Sequence, residues 1–364
     1  MKNPVSKIFK LLIQALIFMA GLGVFFPSQA FSQEDNKCLS KLKKAQELFE
    51  SGLIEEIPFM LDSCLKDGFN KDQTIQAYRL LIQVFLFDYN QEKAEKAMHN
   101  LLSEFPEYEI QSNDPVEFVN LYKQFQTRPR YSISFNSGLN ISDVSVTEQY
   151  STGNINKLKP TYKSDGIKAG ARLSFEKYIA SKMWITLGVG YTLAGYQVEE
   201  KMNFNRELLS FSEKMQFLQM PLYLNYSFGN SKKFAPYIFV GGKFSYLLKA
   251  KGEINRRSLD LSSTSTDLSG IAQDITGTRM REYYSVLGGI GFRYKISSGY
   301  LRVNVFYSKG MSDYVKKGAR FNNSENLFYY NFIDDKIRLN FYSLSVGYSY
   351  IFYRTQKKVT ESNH

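Results

Sequence analysis

The sequence predicts a multidomain α+β protein, in which an N-terminal all-α domain precedes an eight-stranded antiparallel transmembrane β-barrel. Three observations lead to this fold class. Apolar residues recur at helical spacing up to about residue 127, and at every second residue from Arg130 onward. The connections between the predicted strands alternate between short and long. A segment typical of protein export precedes both regions.

The N-terminal residues 1–32 have the features of a secretory signal peptide. Three lysines form a basic start, residues 11–26 are apolar, and small residues at Ala30 and Ser32 supply a cleavage pattern. The alternative is an uncleaved anchor, but the apolar run is short for a membrane-spanning helix. We therefore expect the mature chain to be exported.

Residues 33–127 predict a helical domain that resembles tetratricopeptide repeats. The strongest match places large, small and proline positions at the spacing of that repeat. The matching residues are Tyr78, Leu81, Phe85, Ala94, Met98, Leu101 and Pro106. A weaker copy runs from Ala45 to Cys64. The resemblance implies either a concave surface for a protein partner or a spacer that positions the next domain.

The two cysteines, Cys38 and Cys64, predict one disulfide. An exported chain meets an oxidising compartment, where paired cysteines oxidise. Both lie at similar distances from a turn at Gly52, so an antiparallel helix pair would bring them together. Two buried free thiols are the alternative. We expect no metal site, because two sulfur ligands with no nearby histidine bind zinc poorly.

Period-two alternation predicts eight strands within residues 128–354, followed by a polar tail over residues 355–364. Each strand is long enough to cross a membrane as part of a barrel. The predicted strands are about 130–146, 166–180, 183–202, 210–229, 234–254, 281–297, 299–315 and 334–353.

The two faces of these strands differ in chemistry, which indicates how the barrel is oriented towards lipid. One face carries Tyr, Phe, Leu, Val and Ile, and the other carries Gly, Ser, Asn and charged residues. Because eight strands enclose only a filled interior, we assign the bulky apolar face to lipid. A soluble barrel of the lipocalin kind is the alternative. The polar lumen residues would be Lys168, Arg172, Glu176, Lys243, Arg293 and Arg302.

These lumen residues have two interpretations, a selective pore or an internal salt-bridge network, and a ring of eight strands favours the network. The stretch FLQMPLYLNYSFG, residues 217–229, contains one exception to strand chemistry. Pro221 lies in its middle, and a closed barrel has no edge strand to accommodate it. We therefore expect one missing ladder hydrogen bond there.

The lengths of the connections predict the orientation of the barrel. Links after strands two, four and six are short, whereas the others are mostly longer and polar. Outer-membrane barrels have short periplasmic turns and longer external loops. This pattern predicts a periplasmic N-terminal domain and a periplasmic C-terminus. The connections 255–280 and 316–333 would then face the medium.

Residues 130–353 resemble the PorT-like outer-membrane β-barrel family of the Bacteroidetes. The resemblance is carried by FLQMPLYLNYSFG, by PYIFVGGKFSYLL (residues 236–248) and by GGIGFRYKI (residues 288–296). It implies an integral outer-membrane protein in contact with lipid. The helical region is not part of that family's pattern.

The sequence offers little chemistry for an enzyme. The two histidines, His99 and His364, both lie outside the predicted barrel, so a histidine-dependent site there is excluded. Neighbouring carboxylates such as Asp334 and Asp335 point to opposite faces of a strand, and we expect them at solvated strand ends. We therefore predict no catalytic, cofactor or metal site. The net charge of +11 is scattered, so nucleic acid is not expected as a partner.

The resulting functional hypothesis is a membrane anchor and interaction module. The helical domain, residues 33–127, would bind a periplasmic or outer-membrane protein. The alternative is a narrow pore, or a transport protein that binds small solutes or lipids.

Overall fold

A computed structural model describes residues 34–150, 160–202, 207–229, 233–258, 268–296, 299–320, 330 and 332–358. The predicted signal peptide, most of the polar tail and His364 lie outside these residues. The chain divides into two compact units. One unit contains the residues up to Gln126 together with those from Gln356 onward, and the other is Thr127–Thr355.

The first unit is helical, as the sequence predicts. Its helices are α1 (Glu34–Glu50), α2 (Ile57–Lys66), α3 (Lys71–Phe87), α4 (Gln91–Glu104) and α5 (Val116–Lys123). Helix α1 packs against α2, and α3 packs against α4 and α5. Ala45 and Leu61 are buried in one apolar cluster, and Ala94 and Met98 in a second. None of the described helices is both long and apolar enough to cross a membrane.

Local signals in the sequence define where these helices begin and end. Asn70 caps the start of α3 in a capping box, in which the Gln73 side chain accepts a hydrogen bond from the Asn70 backbone. After α1, Gly52 adopts a φ of +77°. The amide of Leu53 then donates to the carbonyl of Leu48, which completes a Schellman motif. A glycine fits there because its left-handed backbone carries no side-chain penalty.

The predicted disulfide between Cys38 and Cys64 is confirmed. The two sulfur atoms are 2.05 Å apart and the Cα atoms 5.7 Å apart. The bond joins α1 to α2 across the turn that contains Gly52. Gly68 lies against it, since a Cβ at that position would come within 2.8 Å of the Cys38 sulfur.

Replacing both cysteines with alanine should destabilise the α1–α2 hairpin by about 3 kcal/mol, because the disulfide restricts the unfolded chain. Hydrogen exchange of the full-length protein measures this, and the amides of α1 and α2 should lose protection. The barrel amides provide the internal control and should be unaffected. Unchanged exchange in both helices would contradict this account of the hairpin.

The second unit is an antiparallel barrel, as predicted, with eight long strands and three short ones. The long strands are β1 (Phe125–Glu148), β3 (Ile167–Ala180), β4 (Met183–Met202), β5 (Glu207–Ser227), β6 (Phe234–Ser258), β9 (Glu282–Ile296), β10 (Gly299–Gly310) and β11 (Lys336–Lys357). The short strands are β2 (Thr161–Ser164), β7 (Leu268–Ser269) and β8 (Gln273–Asp274).

The eight long strands form a closed ring in chain order. Each pairs with the next long strand, β11 returns to β1, and the β4–β5 pairing completes the circle. The short strands β2, β7 and β8 add to β4 and β6. We call one end of the ring the turn end, where the chain passes from β3 to β4, from β5 to β6 and from β9 to β10. The opposite end, where three of the four connections are longer, is the loop end.

The pairing of β5 agrees with the prediction that a ladder hydrogen bond is missing at Pro221. The β4–β5 ladder runs in one register, yet pairing is interrupted between Leu187↔Leu222 and Gly190↔Gln219. The interruption falls where Pro221 has no amide hydrogen to donate. On the other side Pro221 pairs with Lys243. The bulge between β5 and β6 lies elsewhere, at Gln216/Phe217.

Candidate functional site: the filled barrel interior

An apolar band surrounds the outside of the ring. Every long strand contributes an exposed large apolar side chain to it; examples are Phe135, Leu173, Val189, Leu222, Val240, Ile290, Val305 and Phe352. On β5 the band runs over residues 218–228, and on β11 over residues 342–352, which is 11 residues in each case. A membrane-spanning β-strand needs about 9–11 residues.

Aromatic side chains flank this band at both ends. Tyr191, Tyr246, Tyr284, Tyr307 and Tyr342 are exposed towards the loop end. Tyr226, Phe228, Phe234, Tyr294, Tyr348 and Tyr350 are exposed towards the turn end. Such girdles are typical of the two membrane interfaces. Tyr283, next to Tyr284 on β9, is instead buried inside the barrel.

Inside the ring, at the level of the band, Arg302 and Glu176 form a buried ion pair. Their side chains are 2 % and 0 % exposed. Arg302 also donates to the hydroxyls of Tyr237 and Ser134, at 3.2–3.3 Å. The hydroxyl of Thr186 donates to Glu176 over 3.3 Å. The two opposite charges therefore neutralise each other within the interior, and the second carboxylate oxygen of Glu176, Oε2, is buried without a hydrogen-bond partner among the described residues.

Arg293 lies next to this pair and is stabilised by aromatic rings. It is directly opposite Arg302 in the β9–β10 ladder, where two like charges would repel each other. Its guanidinium stacks over the Trp184 ring, 4.2 Å from the centroid, and donates to the hydroxyl of Tyr178. Cation–π stacking offsets part of the cost of burying this charge.

Glycine makes room for the large interior side chains. A Cβ at Gly291 would lie 2.7 Å from the Tyr237 ring, and one at Gly190 would lie 3.0 Å from the Cβ of Arg172. A larger residue at position 291 would displace Tyr237, which belongs to the Arg302 network, and one at position 190 would displace Arg172. The glycines of β4 and β9 therefore allow charged and aromatic residues to fill a narrow ring.

The six predicted lumen residues are not one network. Glu176 pairs with Arg302, with Arg293 beside them, whereas Lys168 pairs over 2.8 Å with Asp165, which lies just before β3. Arg172 and Lys243 line a separate cavity of about 50 Å³ in the middle of the interior.

Towards the loop end, the interior changes from polar to apolar. The inward side chains there form one large core, which includes Tyr196, Val198, Phe211, Phe217, Leu339 and Phe341. The connections contribute Ile275, Tyr314, Val315 and Phe332. The expectation that the bulky apolar face always points to lipid is therefore wrong beyond the band. There the outer face meets water, so the apolar side chains are buried inside.

A second buried charge cluster lies within this core, around Arg279. Its guanidinium donates to Glu213 over 2.7 Å and to Asp334 over 2.7 Å, with a side-chain exposure of 1 %. Burial disfavours its charge, but Asp334 and Glu213 outweigh this and raise the pKa of Arg279 well above its ordinary value. The hydroxyls of Tyr196 and Tyr314 also donate to Glu213, over 2.7 and 2.6 Å.

The expectation that Asp334 and Asp335 lie at solvated strand ends is wrong. Asp334 balances Arg279, and Asp335 is buried and accepts hydrogen bonds from the Tyr162 hydroxyl and the Tyr150 amide. The Arg279 cluster was missed because Arg279 lies in a connection between strands. One feature of the sequence could have indicated a buried charge here. Glu213 falls on the inward-facing side of its strand, where a lone carboxylate needs a cation as its partner.

The sequence profile of a known family matches this barrel. The family is described as outer membrane protein beta-barrel domain, and it matches residues 122–315, more than half of the chain. The chain belongs to the outer-membrane β-barrel family. Its location is therefore the outer membrane, and its apolar band is the surface in contact with lipid.

Several solved outer-membrane barrels are similar in fold. OprG from Pseudomonas aeruginosa is 16 % identical, with 62 % of this chain and 97 % of that chain covered and a TM-score of 0.35. A major outer membrane protein from Thermus thermophilus is 10 % identical, with 60 % and 99 % covered and a TM-score of 0.32. Ail of Yersinia pestis is 13 % identical, with 61 % and 99 % covered and a TM-score of 0.24. No curated protein sequence matches this outer-membrane barrel significantly.

Replacing Glu176 with glutamine should destabilise the barrel by about 4 kcal/mol, because the substitution leaves the Arg302 charge buried without a counter-charge. Adding Arg302→Met should recover part of this loss, because both charges are then absent. Urea unfolding in detergent micelles measures the effect. Trp184, the single tryptophan of the chain, is a suitable fluorescence reporter because it is buried in this interior.

The matched control is Glu199→Gln, which removes the carboxylate of an exposed pair with Lys163. Exposed pairs contribute about 0.2–1 kcal/mol, so this variant should unfold at nearly the urea concentration of the unmodified protein. If Glu176→Gln cost no more than Glu199→Gln, the buried network would not be what holds the interior together.

Proposed function

We propose that this outer-membrane barrel is a non-enzymatic anchor whose helical unit binds another protein of the cell envelope. The observation that carries the proposal is Tyr89, which is 96 % exposed. It follows α3 with a φ of +53°, the only described non-glycine residue with positive φ. This conformation costs most residues about 1–2 kcal/mol.

Tyr89 occupies the position where a helix terminus normally has glycine. The amide of Asn90 donates to the carbonyl of Phe85 over 2.8 Å, and the amide of Tyr89 donates to the carbonyl of Leu86. These are the two hydrogen bonds of a Schellman motif, whose left-handed residue is usually glycine. The α1 terminus has Gly52 at the corresponding position. A strained, exposed aromatic residue therefore supports a functional role for Tyr89.

Other exposed apolar side chains of the helical unit support a protein partner. Phe59 is 90 % exposed, Val116 69 % and Phe87 65 %. Large aromatic residues are enriched where proteins bind each other. The paired helices also support the tetratricopeptide-like interpretation, since Leu81, Ala94, Met98 and Leu101 are buried at the expected positions.

The proposed orientation places the helical unit and the C-terminus in the periplasm. Strand β1 begins and strand β11 ends at the turn end, and short turns are periplasmic in outer-membrane barrels. The loop end would then face the medium. Membership of the PorT-like family is also part of the proposal, and it rests on the resemblance of three stretches, one of them residues 217–229 around Pro221.

Photo-crosslinking in intact cells tests the partner. A photoreactive amino acid at position 89 should give a discrete adduct with an envelope protein, because that side chain would lie in the interface. The control is the same group at Glu92, which is also exposed, at the start of α4. Equal labelling from both positions, or no adduct from position 89, would contradict a binding surface at Tyr89.

Tyr89→Gly separates binding from folding. Glycine adopts positive φ without strain, so the variant should be as stable as the unmodified protein or up to about 1 kcal/mol more stable in urea. Recovery of the crosslinked partner by co-purification should nevertheless fall. A variant that keeps full recovery would show that the tyrosine ring is not a binding determinant.

Conductance distinguishes the anchor from the alternative of a narrow pore. The Arg302–Glu176 network and the loop-end core both fill the ring, so we predict no steady ion current when the protein is inserted in planar bilayers. Glu176→Gln is the comparison, and it should at most add brief openings. A steady open state of the unmodified protein would favour the pore.

A further inference from the structure

The cavity in the middle of the barrel interior has polar and charged walls. Its volume is about 50 Å³, and Asn136, Asn140, Arg172 and Lys243 contribute to its lining. A water molecule needs about 10–15 Å³ of such space, so the cavity has room for an ion with its hydrating water.

Lys243 points a buried amino group towards this cavity. The residue is 5 % exposed, and within the described chain its ammonium group makes no hydrogen bond or ion pair. The one interaction described for this nitrogen is with the aromatic ring of Phe341, whose centroid lies 4.6 Å away. A ring face attracts a cation but does not neutralise it.

Arg172 adds a second positive charge to the same cavity. Its Nε atom is buried without a hydrogen-bond partner, and its guanidinium lies 5.7 Å from the ring centroids of Tyr223 and Phe306. None of the described residues that line the cavity is an aspartate or a glutamate.

The remaining interior charges do not neutralise these two. At the level of the band the described interior contains one carboxylate that could do so, Glu176, and it is already paired with Arg302. The Lys243 amino group and the Arg172 guanidinium therefore face a polar cavity whose described lining carries no counter-charge, in a region surrounded by lipid. Burying a charge without a counter-ion is costly, so a bound anion would stabilise the folded barrel.

We infer that this cavity binds a small inorganic anion of the size of chloride, held between the Lys243 ammonium and the Arg172 guanidinium. Water in the same cavity would donate to the side-chain oxygens of Asn136 and Asn140, which otherwise have no hydrogen-bond partner. This inference does not depend on the proposed protein partner.

The test uses the full-length protein refolded into detergent micelles with sodium bromide or with sodium gluconate. Gluconate is too large for the cavity, and matched ionic strength equalises screening of surface charges. Above saturation, a tenfold rise in bromide should raise the ratio of folded to unfolded protein about tenfold in urea. Gluconate should leave that ratio unchanged.

Lys243→Met should abolish the bromide-specific effect, while the protein still folds, since methionine removes a buried charge at similar length. Lys214→Met is the matched control, because Lys214 is exposed on the outer surface of β5. That variant should keep the full bromide response.

Crystals grown in bromide provide a second measurement that needs no variant, and an anomalous peak should lie between Lys243 and Arg172. An identical response to bromide and gluconate would overturn the anion site. So would a bromide response retained by Lys243→Met, or an anomalous map with no peak in the cavity.

Discussion

The narrowness of an eight-stranded ring is the constraint on which the rest of this barrel depends. Such a ring leaves space inside for side chains and at most one small ligand, and a buried polar group placed there is costly unless it finds a partner. Arg302 meets this requirement through Glu176, Tyr237 and Ser134. Arg293 meets it through aromatic rings. At the level of the band, the interior is therefore a packed core whose contacts include buried polar and charged groups.

The barrel interior is filled differently at the level of the apolar band and beyond it, towards the loop end. Where lipid covers the outside, apolar side chains face outward and the interior contains charges and small residues. Beyond the band, the outer surface carries residues such as Lys214 and Lys251, which are exposed, and the interior becomes an apolar core. The same strands therefore combine the inside-out pattern of a membrane protein with the ordinary pattern of a soluble one.

Residue patterns predicted much of this architecture because alternation and helical spacing are local properties. The helical region, the long strands and the Cys38–Cys64 disulfide could all be predicted from the sequence. The sequence does not indicate which cation pairs with which carboxylate. That pairing depends on the strand register, and Glu176 and Arg302 are far apart in sequence. The partnership of Arg279 with Glu213 was equally hidden, because no periodicity indicates which residue of a connection folds into the barrel.

The length of the strands also determines how far the loop end stands from the lipid. Strand β6 has 25 residues, and at about 3.3 Å per residue and a tilt of about 40° it rises ~60 Å. The apolar band of such a barrel is about 25 Å tall. Tens of ångströms of hydrogen-bonded, internally packed structure therefore lie beyond the membrane surface. A molecule that binds the loop end would therefore contact a folded surface that lies well away from the lipid head groups.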